Sequence, residues 1–240
     1  MALLERYSHL FVESDLELGS TDRVKCKLET GNAKPIRQRP YRIPFLQKPV
    51  VEEHINKMLE ANVIRPSVSP WASPIVIVPK KDGSKRFCVD FRKVNEVTVP
   101  NSYPIPQIDD ILASLGGAKY FSKVDLRSGY WQIEMEEESK PKTAFITPMG
   151  LFEFNKMPFG LANAPSIFQD LMNNTLQGLL YVFVLCYLDD VIIYSETFGQ
   201  HLEHIETVFQ RLEDAGLKLK LSKCEFFYES SAIFGARRVQ

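Results

Sequence analysis

A mixed α+β fold is predicted by two patterns that share this 240-residue chain. Short β-branched and aromatic runs come in pairs joined by tight polar turns, as hairpin strands do. Between them lie longer stretches whose apolar residues recur at helical spacing. A hydrophobic content of 45% is enough to bury a sizeable core, in one large domain or two intertwined lobes.

In chain order, residues 1 to about 35 are predicted to be an entry segment. It holds a short helix at Leu3–Tyr7 and an alternating edge strand at Val24–Leu28. Lys34 to Pro44 carries three prolines and four basic residues, which makes an extended basic strap. A solvated linker and a phosphate-contacting arm are both open readings of it. Val50, Val51, Ile55, Met58 and Leu59 define an amphipathic helix over Gln47–Asn62. Ile75–Val78 is a strand, Pro79–Arg86 a basic turn, and Phe87–Arg92 the returning strand. A helix is predicted from Gln107 to Leu115, where Asp109 and Asp110 suit a helix N-terminus. Tyr120–Leu126, Thr143–Thr147 and Gly150–Phe154 are strands, with a helix over Ala164–Gln177. Phe198–Ala215 is an amphipathic helix stopped by Gly216, and Leu217–Leu221 alternates as a half-exposed strand.

The remaining pair of strands, Val182–Cys186 and Val191–Tyr194, brackets Tyr187-Leu188-Asp189-Asp190. Tight hairpin turns favour Asn-Gly or Asp-Gly because they need positive φ. This one carries two carboxylates and no glycine. Alternation along an extended chain turns adjacent aspartates to opposite sides, so one faces a site while the other supports it. A solvated acidic turn is the plain alternative. What weighs against it is Asp125, a further acid at a strand end, followed by the glycine-containing turn Arg127-Ser128-Gly129-Tyr130. Such a turn can offer N–H groups to an anion while the carboxylate holds a cation.

A net charge of -1 gives no global signal for a polyanion. Residues 80–93, however, hold Lys80, Lys81, Lys85, Arg86, Arg92 and Lys93 against Asp82 and Asp90, six basic minus two acidic, a local +4. A charged hairpin blunts a sheet edge, and it also suits a triphosphate. Carboxylates drawn from separate strands are the usual holders of Mg²⁺ beside substrate phosphates. Two ions roughly 3.5–4 Å apart clamp an in-line phosphoryl displacement. Nucleotidyl transfer is therefore the leading chemistry. Cys26, Cys88, Cys186 and Cys224 are scattered without metal-ligand spacing, as reduced thiols of an intracellular protein are. No apolar run approaches the roughly 20 residues of a membrane span, and Met1–Arg6 lacks a signal-peptide pattern.

An ordered series of segments resembles the reverse transcriptases of gypsy-type long-terminal-repeat retrotransposons. They are Trp71-Ala-Ser-Pro-Ile-Val-Ile-Val-Pro-Lys-Lys-Asp-Gly, Cys88-Val-Asp-Phe-Arg-Lys-Val-Asn and Phe121-Ser-Lys-Val-Asp-Leu-Arg-Ser-Gly-Tyr. Met157-Pro-Phe-Gly-Leu-Ala-Asn-Ala-Pro, Tyr187-Leu-Asp-Asp and Gly216-Leu-Lys-Leu-Lys-Leu-Ser-Lys-Cys-Glu-Phe-Phe complete it. A lone Tyr-x-Asp-Asp would be weak; this order is specific. The resemblance implies a right-hand polymerase, with fingers at 36–99 and 133–163 and a ferredoxin-like palm at 100–132 and 164–240. It implies RNA- and DNA-directed DNA synthesis from dNTPs on a primed template, with two Mg²⁺ ions (Mn²⁺ as a substitute) on Asp125, Asp189 and Asp190. Lys80, Arg86, Ser128, Gly129, Tyr130 and Phe159 would meet the incoming nucleotide, Tyr130 by excluding a 2′-hydroxyl. Lys223 would protonate pyrophosphate.

Only Phe234-Gly235 echoes the family's primer-gripping hairpin, and the thumb and ribonuclease H regions of a Pol polyprotein are absent from the 240 residues. The chain is thus expected to be a fragment, working in cytoplasmic virus-like particles or the nucleus. A catalytically silent remnant that only binds nucleic acid or a partner is the alternative. No histidine or extra acid clusters near the motifs to favour a two-metal hydrolase.

Overall fold

The computed structural model describes residues 2–14, 17–79, 83, 85–104 and 115–229. Its helices are α1 (Ala2–Arg6), α2 (Lys48–Glu60), α3 (Arg92–Val97), α4 (Ala164–Thr175) and α5 (Phe198–Asp214). The strands are β1 (Thr21–Cys26), β2 (Ile64–Pro66), β3 (Ser73–Pro79), β4 (Lys85–Val89), β5 (Tyr120–Asp125) and β6 (Ile133–Met135). They continue with β7 (Phe145–Thr147), β8 (Gly150–Phe154), β9 (Val184–Tyr187), β10 (Asp190–Ser195) and β11 (Glu225–Glu229). The helix expected at Gln107–Leu115, with Asp109 and Asp110, falls almost wholly outside the described residues, as do Lys80 and Phe234-Gly235.

The chain divides into two compact units, one from Met1–Arg23, Ser102–Gly129 and Ser166–Gln240, the other from Val24–Asn101 and Tyr130–Pro165. The first is built on an antiparallel four-stranded sheet in the order β11-β5-β10-β9. Period-2 alternation sorts its side chains cleanly. Ser122, Val124, Val184, Cys186, Val191 and Ile193 share one face and are buried. Helix α5 packs against β10 and β5, burying His201, Ile205, Val208, Phe209 and Leu212, a stripe at helical spacing. Thr197 caps its start by accepting from the Gln200 N–H. At its end, the Gly216 N–H donates to the Glu213 carbonyl and the Leu217 N–H to the Leu212 carbonyl, a Schellman closure. Gly216 sits at φ +69°, where a Cβ would meet the Ser20 carbonyl oxygen at 2.5 Å, so only glycine fits. On the opposite face, Phe121, Leu185 and Tyr194 join Leu115 in an apolar cluster, with Tyr187, Ile192 and Tyr228 against it. That face also carries Asp125 and Asp190.

The predicted strand at Leu217–Leu221 is not formed. Leu217 and Leu219 are buried and their lysine neighbours half-exposed, so the alternation is real. Leu219 makes only isolated bridges, to Phe11 and to Leu126. Leu219 bonds Leu10 and Val12, while the Lys218 carbonyl accepts from Arg127 and the Lys220 N–H donates to Asp125, so its pairing alternates between two segments and no ladder propagates.

The second unit holds a five-stranded sheet, β2-β8-β7-β3-β4, with a parallel β3–β7 pairing and the rest antiparallel. Strand β4 ends at Val89, short of the expected Arg92. The Asp90 carboxylate accepts from the Arg92 backbone N–H at 3.2 Å, an Asx turn that diverts the chain into α3. The proline-rich strap is extended and fastened: Gln38 N–H donates to the Ala72 carbonyl and Ala72 N–H to that of Ile36. Lys34, Arg37, Arg39 and Arg42 remain exposed along it.

Candidate active site

The turn between β9 and β10 is two residues long, because Tyr187 pairs directly with Asp190. Leu188 and Asp189 are its central residues. Leu188 lies at φ +52°, which supplies the positive φ that the sequence offers no glycine to provide. Holding a leucine there costs on the order of 1–3 kcal/mol. Strain of this kind persists only where the surroundings over-determine it.

Strand pairing then assembles the acids. Asp190, the first residue of β10, is the cross-strand partner of Asp125, the last residue of β5. Directly opposed residues project from the same face with Cβ atoms roughly 4.5–5.5 Å apart. The side chain of Asp125 is largely buried and that of Asp190 half-exposed. Two lysines answer them: Lys223 Nζ lies 3.3 Å from Asp125 Oδ1, and Lys123 Nζ lies 2.7 Å from Asp190 Oδ1. Lys123 reaches Asp190 because it stands two residues before Asp125 on the same face of β5. Asp189, in the turn, is accessible to solvent. Desolvation at the base of the turn, then the charges of Asp125 and Asp190, raise its carboxyl above the ordinary aspartate value, and Lys223 opposes this.

The expected three-aspartate metal cluster is not preformed. Among the described residues no group of three His, Cys, Asp or Glu side chains is arranged to hold a metal ion. The carboxylates of Asp125 and Asp190 each turn to a lysine instead of converging. The donor chemistry nonetheless fits a hard divalent cation: three carboxylates on neighbouring backbone, mutually repelling, with oxygen ligands only.

The turn after β5 bears Ser128 at φ +45°. A Cβ on Gly129 would come within 2.8 Å of the Phe168 ring, so the chain passes α4 too closely for any side chain. In the other unit, Arg86 is exposed on β4 opposite Val78. Tyr130 is buried with its ring 5.0 Å from that of Phe159, which is half-exposed. Lys123 and Gln169 went unnoticed in the sequence. Gln169 is fully buried on α4 among Ile167, Phe168, Leu171 and Met172. An amide inside an apolar helical stripe is a visible signal, whereas Lys123 needed the strand register.

Residues 78–237 match the family described as reverse transcriptase (RNA-dependent DNA polymerase), and the chain belongs to that family. It is 43% identical over 238 residues to the retrovirus-related Pol polyprotein from transposon 297 of Drosophila melanogaster, a match covering 97% of this chain and 22% of the relative. The Pol polyprotein from transposon gypsy of the same organism is 40% identical over 218 residues, covering 88% and 21%. The chain therefore spans about a fifth of the length of these relatives. Its fold is similar to the foamy viral protease-reverse transcriptase solved in complex with an RNA/DNA hybrid. That match has a TM-score of 0.86 and 28% identity, and covers 94% of this chain and 30% of the other. These matches favour a polymerase over a silent remnant. Among the described residues no helix is long and apolar enough to cross a membrane.

Proposed function

We propose that this chain is the fingers and palm of a retrotransposon Pol polyprotein, extending a primer on RNA or DNA templates with dNTPs. The first unit corresponds to the palm, the second to the fingers. The observation that carries the reading is the direct cross-strand pairing of Asp125 with Asp190, with Asp189 beside them in a strained turn. In the reaction the primer 3′-oxygen bonds to the α-phosphorus of the dNTP, the bond to the β-phosphate bridging oxygen breaks, and pyrophosphate departs. Asp125, Asp189 and Asp190 would hold two Mg²⁺ ions, or Mn²⁺ in their place. Bound divalent ions supply Lewis-acid stabilisation of the phosphoryl charge. The sheet fixes the backbone of Asp125 and Asp190 and the turn that of Asp189, so binding the ions would require these side chains to rotate away from Lys223 and Lys123 without moving the strands. Lys223 pairs with Asp125 and would act as the proton donor to the leaving pyrophosphate. Lys80, Arg86, the Ser128 and Gly129 backbone, Tyr130 and Phe159 serve the incoming nucleotide, Tyr130 by bulk against a 2′-hydroxyl. The exposed basic side chains of the strap suit template phosphates. Four free cysteines accord with an intracellular setting, in a particle or the nucleus.

The test is primer extension on poly-rA/oligo-dT with Mg²⁺. Wild-type chain should extend the primer, and Asp189→Asn should not, while template–primer affinity is retained. An active Asp189→Asn chain would sink the assignment.

A further inference from the structure

Among the described residues β9 is an edge strand of its sheet, with no strand on its outer side. Two backbone groups flank the aspartate turn: the Cys186 carbonyl and the Leu188 N–H. Both are taken by one side chain. The Leu188 N–H donates to Gln169 Oε1 at 2.9 Å, and Gln169 Nε2 donates to the Cys186 carbonyl at 3.3 Å. The carboxamide thus supplies the donor and acceptor that one residue of an adjoining parallel strand would offer to a carbonyl at i and an N–H at i+2. Its orientation is fixed on every side. Gln169 Nε2 also donates to Asn173 Oδ1 at 2.9 Å, and Asn173 Nδ2 donates to the Tyr103 hydroxyl at 2.8 Å. The Leu188 N–H can only donate, so the amide cannot be flipped. Gln169 is fully buried, and no water competes for these bonds. The residue it grips is the one held at φ +52°.

We propose that Gln169 is a positioning residue, holding Leu188 in its left-handed conformation so that the following Asp189 and Asp190 carboxylates stay at the site. The consequence for catalysis rests on the polymerase reading above; the grip on the turn does not. Lacking a bond from Gln169, the Leu188 peptide relaxes toward negative φ and carries Asp189 with it. Glycine at 188 would need no such grip, since it takes positive φ freely.

This coupling is tested in the 240-residue chain with Gln169→Leu, Gln169→Glu, Leu188→Gly and the doubles. Gln169→Leu should lower kcat for single-nucleotide addition about 10- to 100-fold, with template–primer affinity unchanged. In the Leu188→Gly background the same substitution should cost less than about threefold, a departure from additivity that marks the two positions as coupled. Gln169→Glu, nearly isosteric, keeps the acceptor for Leu188 but loses both donated bonds. It should fall between wild type and Gln169→Leu, and it takes that variant's place if leucine prevents folding. Hydrogen exchange at the Leu188 amide reads the grip with no reference to catalysis: slow in wild type, fast in Gln169→Leu. Equal kcat losses in both backgrounds, or an unchanged Leu188 exchange rate, would overturn the proposal. A wild-type chain that protects the Leu188 amide yet adds no nucleotide would leave the grip standing and defeat the polymerase reading instead.

Discussion

Asp90 and Glu153 in the second unit and Asp189 in the first are held in opposite ways. In the second unit Asp90 and Glu153 are each answered by several donors. Asp90 accepts from the Arg92 guanidinium at 2.9 and 2.7 Å and from the Tyr41 hydroxyl at 2.8 Å. Arg92, with Tyr41 assisting, holds the Asp90 carboxyl well below the usual aspartate range. Glu153 accepts from Arg65 Nε at 2.8 Å and from the Ser67 hydroxyl, while the same guanidinium binds Glu137. Lys140 and then Arg65 lower the Glu137 carboxyl. In the first unit, Asp189 stands beside two other aspartates and is raised. The contrast separates two uses of a carboxylate. Where neighbours lower its pKa it is a strut, satisfied by groups the chain already contains. Where burial and like charges raise it, as at Asp189, Lys223 offsets the rise only in part and a bound cation would offset it further.

The sharpest way to break this contrast is to neutralise one acid of each kind. Asp125→Asn is expected to cut nucleotide addition by about 10²–10³ or more, the usual penalty for losing transition-state charge stabilisation. Asp90→Asn should leave the rate of addition within about threefold, since the Asp90 carboxylate is engaged by Arg92 and Tyr41 of its own unit. Its effect belongs to stability. A depressed folded-state carboxyl contributes stability above its unfolded value, lost as pH falls through the acid range below it. Urea midpoints at pH 5 and pH 3 should therefore converge in Asp90→Asn more than in wild type.

A second effect concerns the helix-covered face of the first sheet. His201 is fully buried between the Ser122 and Ser195 hydroxyls, each 2.8 Å from a ring nitrogen. Burial, then the charge of His204, pushes its pKa down to about 4. The unfolded chain takes up that proton near pH 6.5. Stability from this group is thus complete above pH 6.5 and lost as pH falls toward 4, by about 3 kcal/mol at most. Denaturant curves at pH 7 and 4.5 should show the slope in wild type and a shallower one in His201→Gln.

Smaller changes sharpen the roles of the close-packed turn and the aromatic pair. Gly129→Ala forces a methyl against the Phe168 ring and should destabilise by about 1–3 kcal/mol, measured by equilibrium unfolding. Tyr130→Val should raise ribonucleotide incorporation relative to deoxynucleotide by about tenfold, the scale on which pocket shape discriminates. Unchanged selectivity would return Tyr130 to ordinary core packing with Phe159.

What was legible in the sequence was set by short-range physics. Helix α5, with its spaced apolar stripe and terminal Gly216, and the hairpin strands around Leu188 and Asp189 follow from local pattern alone. Helix α3 was missed because its start depends on a side-chain bond from Asp90 that propensity does not show. The Leu217–Leu221 alternation was read correctly as half-buried and wrongly as a strand, since pairing depends on neighbours brought from Leu10 and Asp125. In the site, the motif residues announced Asp125, Asp189 and Asp190. The lysines that pair with them, and Gln169 behind the turn, came from register and tertiary packing. The ion pairs of Asp125 with Lys223 and of Asp190 with Lys123 arise from the same register and packing.

Binding of Mn²⁺, titrated by electron paramagnetic resonance, tests the distinction between strut and cation-gathering acids most directly. Wild type and Asp90→Asn should bind Mn²⁺ saturably with closely similar affinity, and Asp189→Asn should lose that binding. Retention of the site in Asp189→Asn, or its loss in Asp90→Asn, would contradict the account.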